Sequence, residues 1–328
     1  MKMLSLFSGV GMIDLAASWA GIETVALCEI EEYPQKILQR RFPGVPIYRD
    51  VRELTAEKLK TDGISKIDII SGGFPCQDVS TAGKRTGFVD SEGNVTRSGL
   101  WGEYARLIRE LKPRWIVAEN VRGLLSISAA GIRGGGFGTV LRDLAEMLPM
   151  LERHTNESEF SLWPTASVCG NYNRKGASAT SGDGLDTAVK KMHSVNLSQA
   201  VNWPTPRARE GNSGSYGCAS IERNADRNYL DGVVIKKEEK PGNLNADWVE
   251  LLMGLPIGWT DIDVANEDIE SWTGWPAAIN VEQYAYEPPR VIVGQKNRAK
   301  RLKALGNGCV PQQVYLVFAA IVEVENEA

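Results

Sequence analysis

The apolar positions of the first 125 residues come in short runs separated by longer helical patterns. Met3 to Phe7 reads as a strand ending in Ser8-Gly9-Val10-Gly11, and Met12 to Trp19 as a helix. Thr24 to Cys28 reads as a second strand, ending at Glu29, and Tyr33 to Arg41 as a helix. Ile67 to Ser71 is a further strand, followed by Gly72-Gly73. Leu100 to Leu111 reads as a helix, and Trp115 to Ala118 as a strand ending in Glu119-Asn120. Short apolar strands alternating with helices predict an α/β fold with a doubly wound, mostly parallel sheet. Ligands of such sheets sit outside the carboxyl ends of the strands, so the residues at those ends are the candidates for chemistry.

From about His154 to Glu287 the periodicity fades, and Gly, Ser, Asn, Asp and Thr dominate. Trp163-Pro164-Thr165 recurs as Trp203-Pro204-Thr205. Tryptophans at 163, 203, 248, 259, 272 and 275 argue for order, and the region reads as a second, smaller, irregular domain. Order returns at Gly306-Asn307-Gly308-Cys309-Val310-Pro311, a loop leading into an apolar helix over Val314 to Val322.

Composition narrows the class. With 328 residues, 43% hydrophobic and 24% charged, the chain is long enough for two globular domains. Five cysteines without Cys-x-x-Cys spacing, and only His154 and His193, point away from a disulfide framework and from a zinc site, and toward the cytoplasm. No metal site is expected. No apolar stretch approaches the roughly 18 residues of a membrane span. The net charge of −4 leaves room for a local basic cleft.

Five segment ends carry candidate chemistry. Phe7-Ser8-Gly9-Val10-Gly11 is a small-residue turn that lets a ligand approach the backbone. Glu29 ends the next strand, where an acid can bond ribose hydroxyls, and Asp50 follows a third short apolar segment, ahead of the strand at Ile67. Together they suggest a nucleoside-containing cofactor, with an ordinary tight βα turn as the competing reading. Cys76, behind Gly72-Gly73 and beside Pro75, sits where a nucleophile would. Asp78 to Ser98, with Lys84, Arg85 and Arg97, reads as a lid able to meet phosphates. Glu119 closes an apolar strand, where desolvation would raise its pKa and let it donate a proton; a helix-capping acid is the alternative.

The order of these motifs resembles the DNA (cytosine-5)-methyltransferases of phage, prophage or restriction-modification type. The resemblance runs through Leu6-Phe7-Ser8-Gly9-Val10-Gly11, Gly73-Phe74-Pro75-Cys76-Gln77, Glu119-Asn120-Val121, and Gly306-Asn307 before a helix. Leu244 to Thr260 and Arg298 to Pro311 look like the family's last two blocks. The resemblance implies a Rossmann-like fold that uses S-adenosyl-L-methionine and methylates C5 of a cytosine flipped out of double-stranded DNA. It implies Cys76 as the nucleophile on C6 and Glu119 as the acid at N3. It places the cofactor along Phe7, Ser8, Gly9 and Gly11, with Glu29 on the ribose. Asp50 and Val51, Ile30, Pro75 and Leu100 would surround the adenine, and Asn307 the methionine end. It assigns residues 1–153 with 298–328 to catalysis and 154–297 to target recognition, in a monomer with a possible cognate restriction endonuclease.

One departure matters. The family's strand pair carrying a Gln-x-Arg-x-Arg motif is not recognisable after the helix expected over Gly138 to Met147. Arg207 and Arg209 form an Arg-x-Arg in a different block, without that assignment. The alternative reading is therefore a catalytically impaired DNA-binding relative. Arg290, Lys296, Arg298, Lys300, Arg301 and Lys303 are expected to contact phosphate, against the simpler reading of a solvated helix face.

Overall fold

The computed structural model describes residues 1–74, 100–120, 128–129, 132–133, 140–147, 203–212, 218–238 and 242–327. Pro75, Cys76, the segment read as a lid and both Trp163 and the residues up to 202 lie outside them. The first half alternates as expected: β1 (Lys2–Leu6), α1 (Met12–Trp19), β2 (Glu23–Cys28), α2 (Glu32–Arg41), β3 (Ile47–Tyr48), α3 (Ala56–Thr61), β4 (Ile69–Gly73), α4 (Trp101–Leu111) and β5 (Trp115–Glu119). The strands form one parallel sheet in the order β3-β2-β1-β4-β5. The chain winds outward from β1 in one direction and then crosses to the other side of it. The switch point, and with it the crevice for a ligand, lies between β1 and β4.

Side chains alternate across the sheet with period two. Met3 and Ile69 join one apolar cluster, with α1 and the C-terminal helix. Leu4, Leu6 and Ile70 join the other, with α4. Trp101, Tyr104, Ala105, Leu107 and Ile108 form the buried stripe of α4. The Tyr104 hydroxyl lies 3.1 Å from the Ile70 carbonyl and 3.2 Å from that of Val117, bridging β4 and β5.

Register brings the strand ends to one edge. Leu6 pairs with Cys28 and with Gly72, Cys28 with Tyr48, and Gly73 with Glu119. Gly72 and Gly73, expected just past the strand, are its last two residues. Gly72 must be small because it meets backbone, whereas Gly73 faces the end of a side chain. A Cβ on Gly72 would lie 2.1 Å from the Leu6 carbonyl oxygen, and one on Gly73 would lie 2.6 Å from Glu119 Oε2.

Beyond β5 the described elements are a two-residue ladder of β6 (Ser128–Ala129) with β7 (Ile132–Arg133) and a helix α5 over 140–147. A 3-10 turn (Ala208–Asn212) is followed by α6 (Cys218–Asp226), α7 (Leu230–Glu238), β8 (Asn243–Leu244) and α8 (Ala246–Leu252). Last come β9 (Val291–Ile292), α9 (Arg298–Leu305) and α10 (Pro311–Glu327). The low periodicity of this half thus conceals a helical pair, α6 and α7. Trp203, Leu230, Trp248 and Trp259 share a core cluster with Met3, Met12 and Phe318. The two late blocks that resemble the family therefore pack back onto the sheet. Pro311 opens α10 as expected, but that helix buries one face (Val314, Phe318, Ile321) and leaves Val324 exposed. Among the described residues no helix is long and apolar enough to cross a membrane.

Candidate active site

The turn after β1 is held from beneath. The Ser8 amide donates to the Cys28 carbonyl (3.0 Å), and the Ser8 hydroxyl donates to Ser5 O (3.0 Å) and accepts from the Cys28 amide (3.2 Å). Ser8 stitches β1 to β2, with its hydroxyl turned inward. Phe7 and Gly9 both have positive φ, 53° and 54°, so the backbone curls over this stitch. The Gly9 N–H donates to Glu29 Oε2 at 2.8 Å, and the Glu31 N–H donates to Oε1 at 2.7 Å. Glu29 is 8% exposed, and burial raises its pKa against those two bonds. Nothing lies within 4 Å of where a Gly9 Cβ would be. Beside this carboxylate, Ile30 is 60% exposed. Gly11, by contrast, is filled in: a Cβ there would meet Phe42 at 2.4 Å.

The other expected cofactor contacts divide. Phe7, Val51, Phe74, Leu100 and Trp101 meet in the α4-side cluster, Val51 buried and Phe7 and Leu100 at its edge. Asp50 is gripped by Arg52, whose Nε and Nη2 donate at 2.9 and 2.5 Å, and that pairing lowers its pKa. Asn307 is exposed, in the turn after α9. That turn abuts the start of α1, since a Cβ on Gly308 would lie 2.2 Å from Met12 Sδ.

Glu119 ends β5 beside Gly73. Burial raises its pKa above the ordinary 4.5. Asn120 turns back, its Nδ2 donating to Phe74 O at 3.1 Å, which ties the residue after β5 to the residue after β4. Cys76 itself lies outside the described residues. Cys28 and Cys309 are buried free thiols, both with raised pKa; burial is the main cause in each case, and Glu119 adds to it for Cys309. Neither is a nucleophile at neutral pH.

The basic stretch expected to meet phosphate is mostly neutralised within the fold. Arg301 is 1% exposed and bonds Glu250 (2.7 Å), Asp247 (2.5 Å) and Thr260 Oγ1 (3.0 Å). Arg290 is buried on Glu238 at 3.1 Å, Lys296 pairs with Asp263 at 2.6 Å, and Lys303 pairs with Glu31 at 2.6 Å. Their carboxylate partners lie up to 272 positions away, so adjacency in sequence misled.

Two positioning contacts were not foreseen. Trp259 Nε1 donates to the Val10 carbonyl at 2.8 Å, bracing the glycine turn. Arg41 holds the loop that carries Trp259, donating to the carbonyls of Trp259, Gly258 and Asp261 at 2.8 Å each. The Gly-Trp-Thr string was visible, but its target was not.

Asp14 offers a test beneath this turn. Ser5 Oγ and Thr24 Oγ1 donate to its carboxylate at 3.0 and 3.1 Å, and burial pushes its pKa from 3.8 up to about 6 despite them. Between those values the folded chain holds a proton that the unfolded chain has released. Its contribution is therefore complete below 3.8 and lost as pH rises through about 6. A shift of roughly two units corresponds to about 3 kcal/mol. Asp14→Asn should gain about that much relative to the wild type between about pH 4 and pH 7 in urea unfolding. A difference independent of pH would refute the assignment.

A carboxylate braced by a glycine turn and a second carboxylate thus stand at the same edge of a parallel α/β sheet. Residues 1–147 match the family model for the C-5 cytosine-specific DNA methylase. The type II methyltransferase M.FnuDI of Fusobacterium nucleatum is 38% identical over 127 residues, 38% of this chain and 34% of that protein. M.Eco47II of Escherichia coli is 38% identical over 128 residues, 39% of this chain and 28% of that protein. The chain thus spans about a third of the length of these relatives. The solved structure of a DNA modification methyltransferase encoded within an E. coli prophage is 32% identical, with a TM-score of 0.35, covering 43% of this chain and 38% of that one.

Proposed function

We propose that the chain is a DNA (cytosine-5)-methyltransferase that uses S-adenosyl-L-methionine and acts on duplex DNA. The observation that carries this reading is the pairing of Gly73 with Glu119 at the switch-point edge, within the stretch that matches the family. There a raised-pKa carboxyl adjoins the strand that runs into Pro75-Cys76-Gln77.

The turn fits the cofactor's nucleoside. Glu29 has both oxygens oriented by backbone N–H groups and keeps lone pairs to accept from ribose hydroxyls. The open space over Gly9 admits a close ligand, and exposed Ile30 offers an apolar wall for a base. Phe7 and Leu100 would bound the adenine side, and Asn307 the amino-acid end. When bound, the cofactor supplies an electrophilic methyl group. Asp50, occupied by Arg52, would reach an adenine amine only with its remaining lone pairs.

The chain's own residues act on the base. The Cys76 thiolate forms a bond to C6 of the flipped cytosine, and Glu119 gives its proton to N3, so that the electron pair displaced toward C5 leaves no charge on N3. Once C5 carries the methyl group, loss of the C5 proton expels the thiolate, N3 returns its proton to Glu119, and the ring is restored. Residues 154–297 would supply target recognition, and a cognate endonuclease would accompany a restriction-modification role.

The test is transfer of labelled methyl groups to unmethylated duplex DNA, with a 5-fluorocytosine duplex as a trap. We expect incorporation at C5 and a covalent adduct on the peptide that contains Cys76. Cofactor binding without transfer or adduct would instead favour the impaired relative.

A further inference from the structure

With four cations of the 290–303 stretch paired internally, the guanidinium groups of interest lie elsewhere. Arg207 and Arg209 are both exposed, and their guanidinium carbons sit 4.8 and 3.8 Å from the ring centre of Tyr229. Neither forms an ion pair with any described residue. Two cations held over one ring repel each other, and a surface with such a pair has unsatisfied affinity for an anion.

The pair is built into the fold rather than draped on it. Glu210, 1% exposed, accepts from the Arg207 N–H at 3.1 Å and from the Leu230 N–H at 3.0 Å. Its carboxylate thus clips the arginine segment to the turn that carries Tyr229. The Tyr229 N–H donates to Asn224 O at 2.9 Å, fixing that turn to α6. Upstream, Trp203 is buried, and its Nε1 donates to Ala277 O at 2.8 Å. Downstream, the segment is seated on the turn after α9. A Cβ on Gly306 would lie 2.1 Å from Arg207 C and 2.2 Å from Ala208 N. The arginines are therefore anchored to the turn whose next residue is Asn307, at the edge of the candidate active site.

We propose that Arg207 and Arg209, splayed on Tyr229, form a phosphate-binding platform that holds the backbone of duplex DNA beside the active site. The choice of DNA rests on the methyltransferase reading above. Guanidinium forks match phosphate oxygens in pairs, and a side chain already fixed on an aromatic face loses little freedom on binding. Such contacts position the duplex without reading its sequence.

The experiment is a salt titration of binding to a fluorescent unmethylated duplex, with methyl transfer measured on the same preparations. Each phosphate contact contributes about 0.9 to the slope of log K against log salt. The Arg207→Ala/Arg209→Ala pair should lower the slope by about 1.8, weakening binding alike on every sequence, while cofactor affinity stays as in the wild type. Arg207→Lys/Arg209→Lys should restore most of the slope. If the double alanine chain does not fold, Arg209→Ala alone should lower the slope by about 0.9. A slope equal to the wild type in a folded variant overturns the platform. If the wild type transfers methyl groups and the variant's slope is unchanged, the platform fails and the methyltransferase reading stands. If the slope falls but the wild type transfers nothing, the platform stands and that reading fails. A wild type that binds no duplex at low salt overturns both.

Discussion

Replacing Glu119 with Gln should lower methyl transfer by about 10²- to 10⁴-fold while leaving cofactor and DNA binding within a few-fold. The amide keeps the shape of the carboxyl group, so Gly73 can still face it across the register pair. What it loses is the transferable proton. Burial holds that proton on Glu119 above the ordinary glutamate value of 4.5. As a general acid, Glu119 works while protonated, so the wild-type rate should be present below its raised pKa and fall as pH rises through it. The Gln variant should lose that limb. The check is a pH profile of single-turnover transfer for both proteins. A variant with wild-type turnover, or one whose slow rate keeps the same alkaline limb, would remove Glu119 from the chemistry.

Replacing Arg301 with Met should cost about 3–5 kcal/mol, because it strands a buried carboxylate. Glu250 is fully buried; desolvation raises its pKa and the charge of Arg301 opposes that rise. Its Oε2 accepts from the Gly258 N–H at 2.6 Å, and its Oε1 from the Thr260 N–H at 2.7 Å, from the Thr260 hydroxyl and from Arg301. This network shapes the loop whose Trp259 donates to Val10 in the glycine turn. Cofactor affinity should therefore fall together with stability. Urea unfolding of Arg301→Met, Glu250→Gln and the double variant separates charge from packing. The double variant should recover a large part of the loss, since no buried charge remains unpaired. A double variant as unstable as Arg301→Met would mean that lost packing, not the stranded carboxylate, sets the cost.

The alternation of strands and helices was legible because its signal is local. Met12–Trp19 is legible to the residue and six other early elements to within one or two positions, whereas β3 and α3 carry no pattern long enough to bound them. The sequence also supplied the order of motifs, and with it Glu29 and Glu119 at strand ends. It ends β4 at Ser71, two residues short, leaving out the glycines that close the strand. Only the neighbouring Leu6 carbonyl makes Gly72 necessary inside a strand.

Charge was the property least legible from sequence. The run from Arg290 to Lys303 looks unopposed along the chain, yet Glu238, Glu250, Asp263 and Glu31 meet four of its members in space. Arg207 and Arg209 sit in an unremarkable Trp-Pro-Thr-Pro block, and both guanidinium groups lie over the ring of Tyr229 without an ion pair among the described residues. By itself the sequence determined the strand–helix alternation and which residue types stand at the strand ends. The periodicities that encode these span only a few residues. Tertiary structure alone decided which of those groups meet, which cations of the basic run are paired and what braces the glycine turn. Those outcomes depend on contacts between positions such as 10 and 259, or 31 and 303, whose separation leaves no trace in a local pattern.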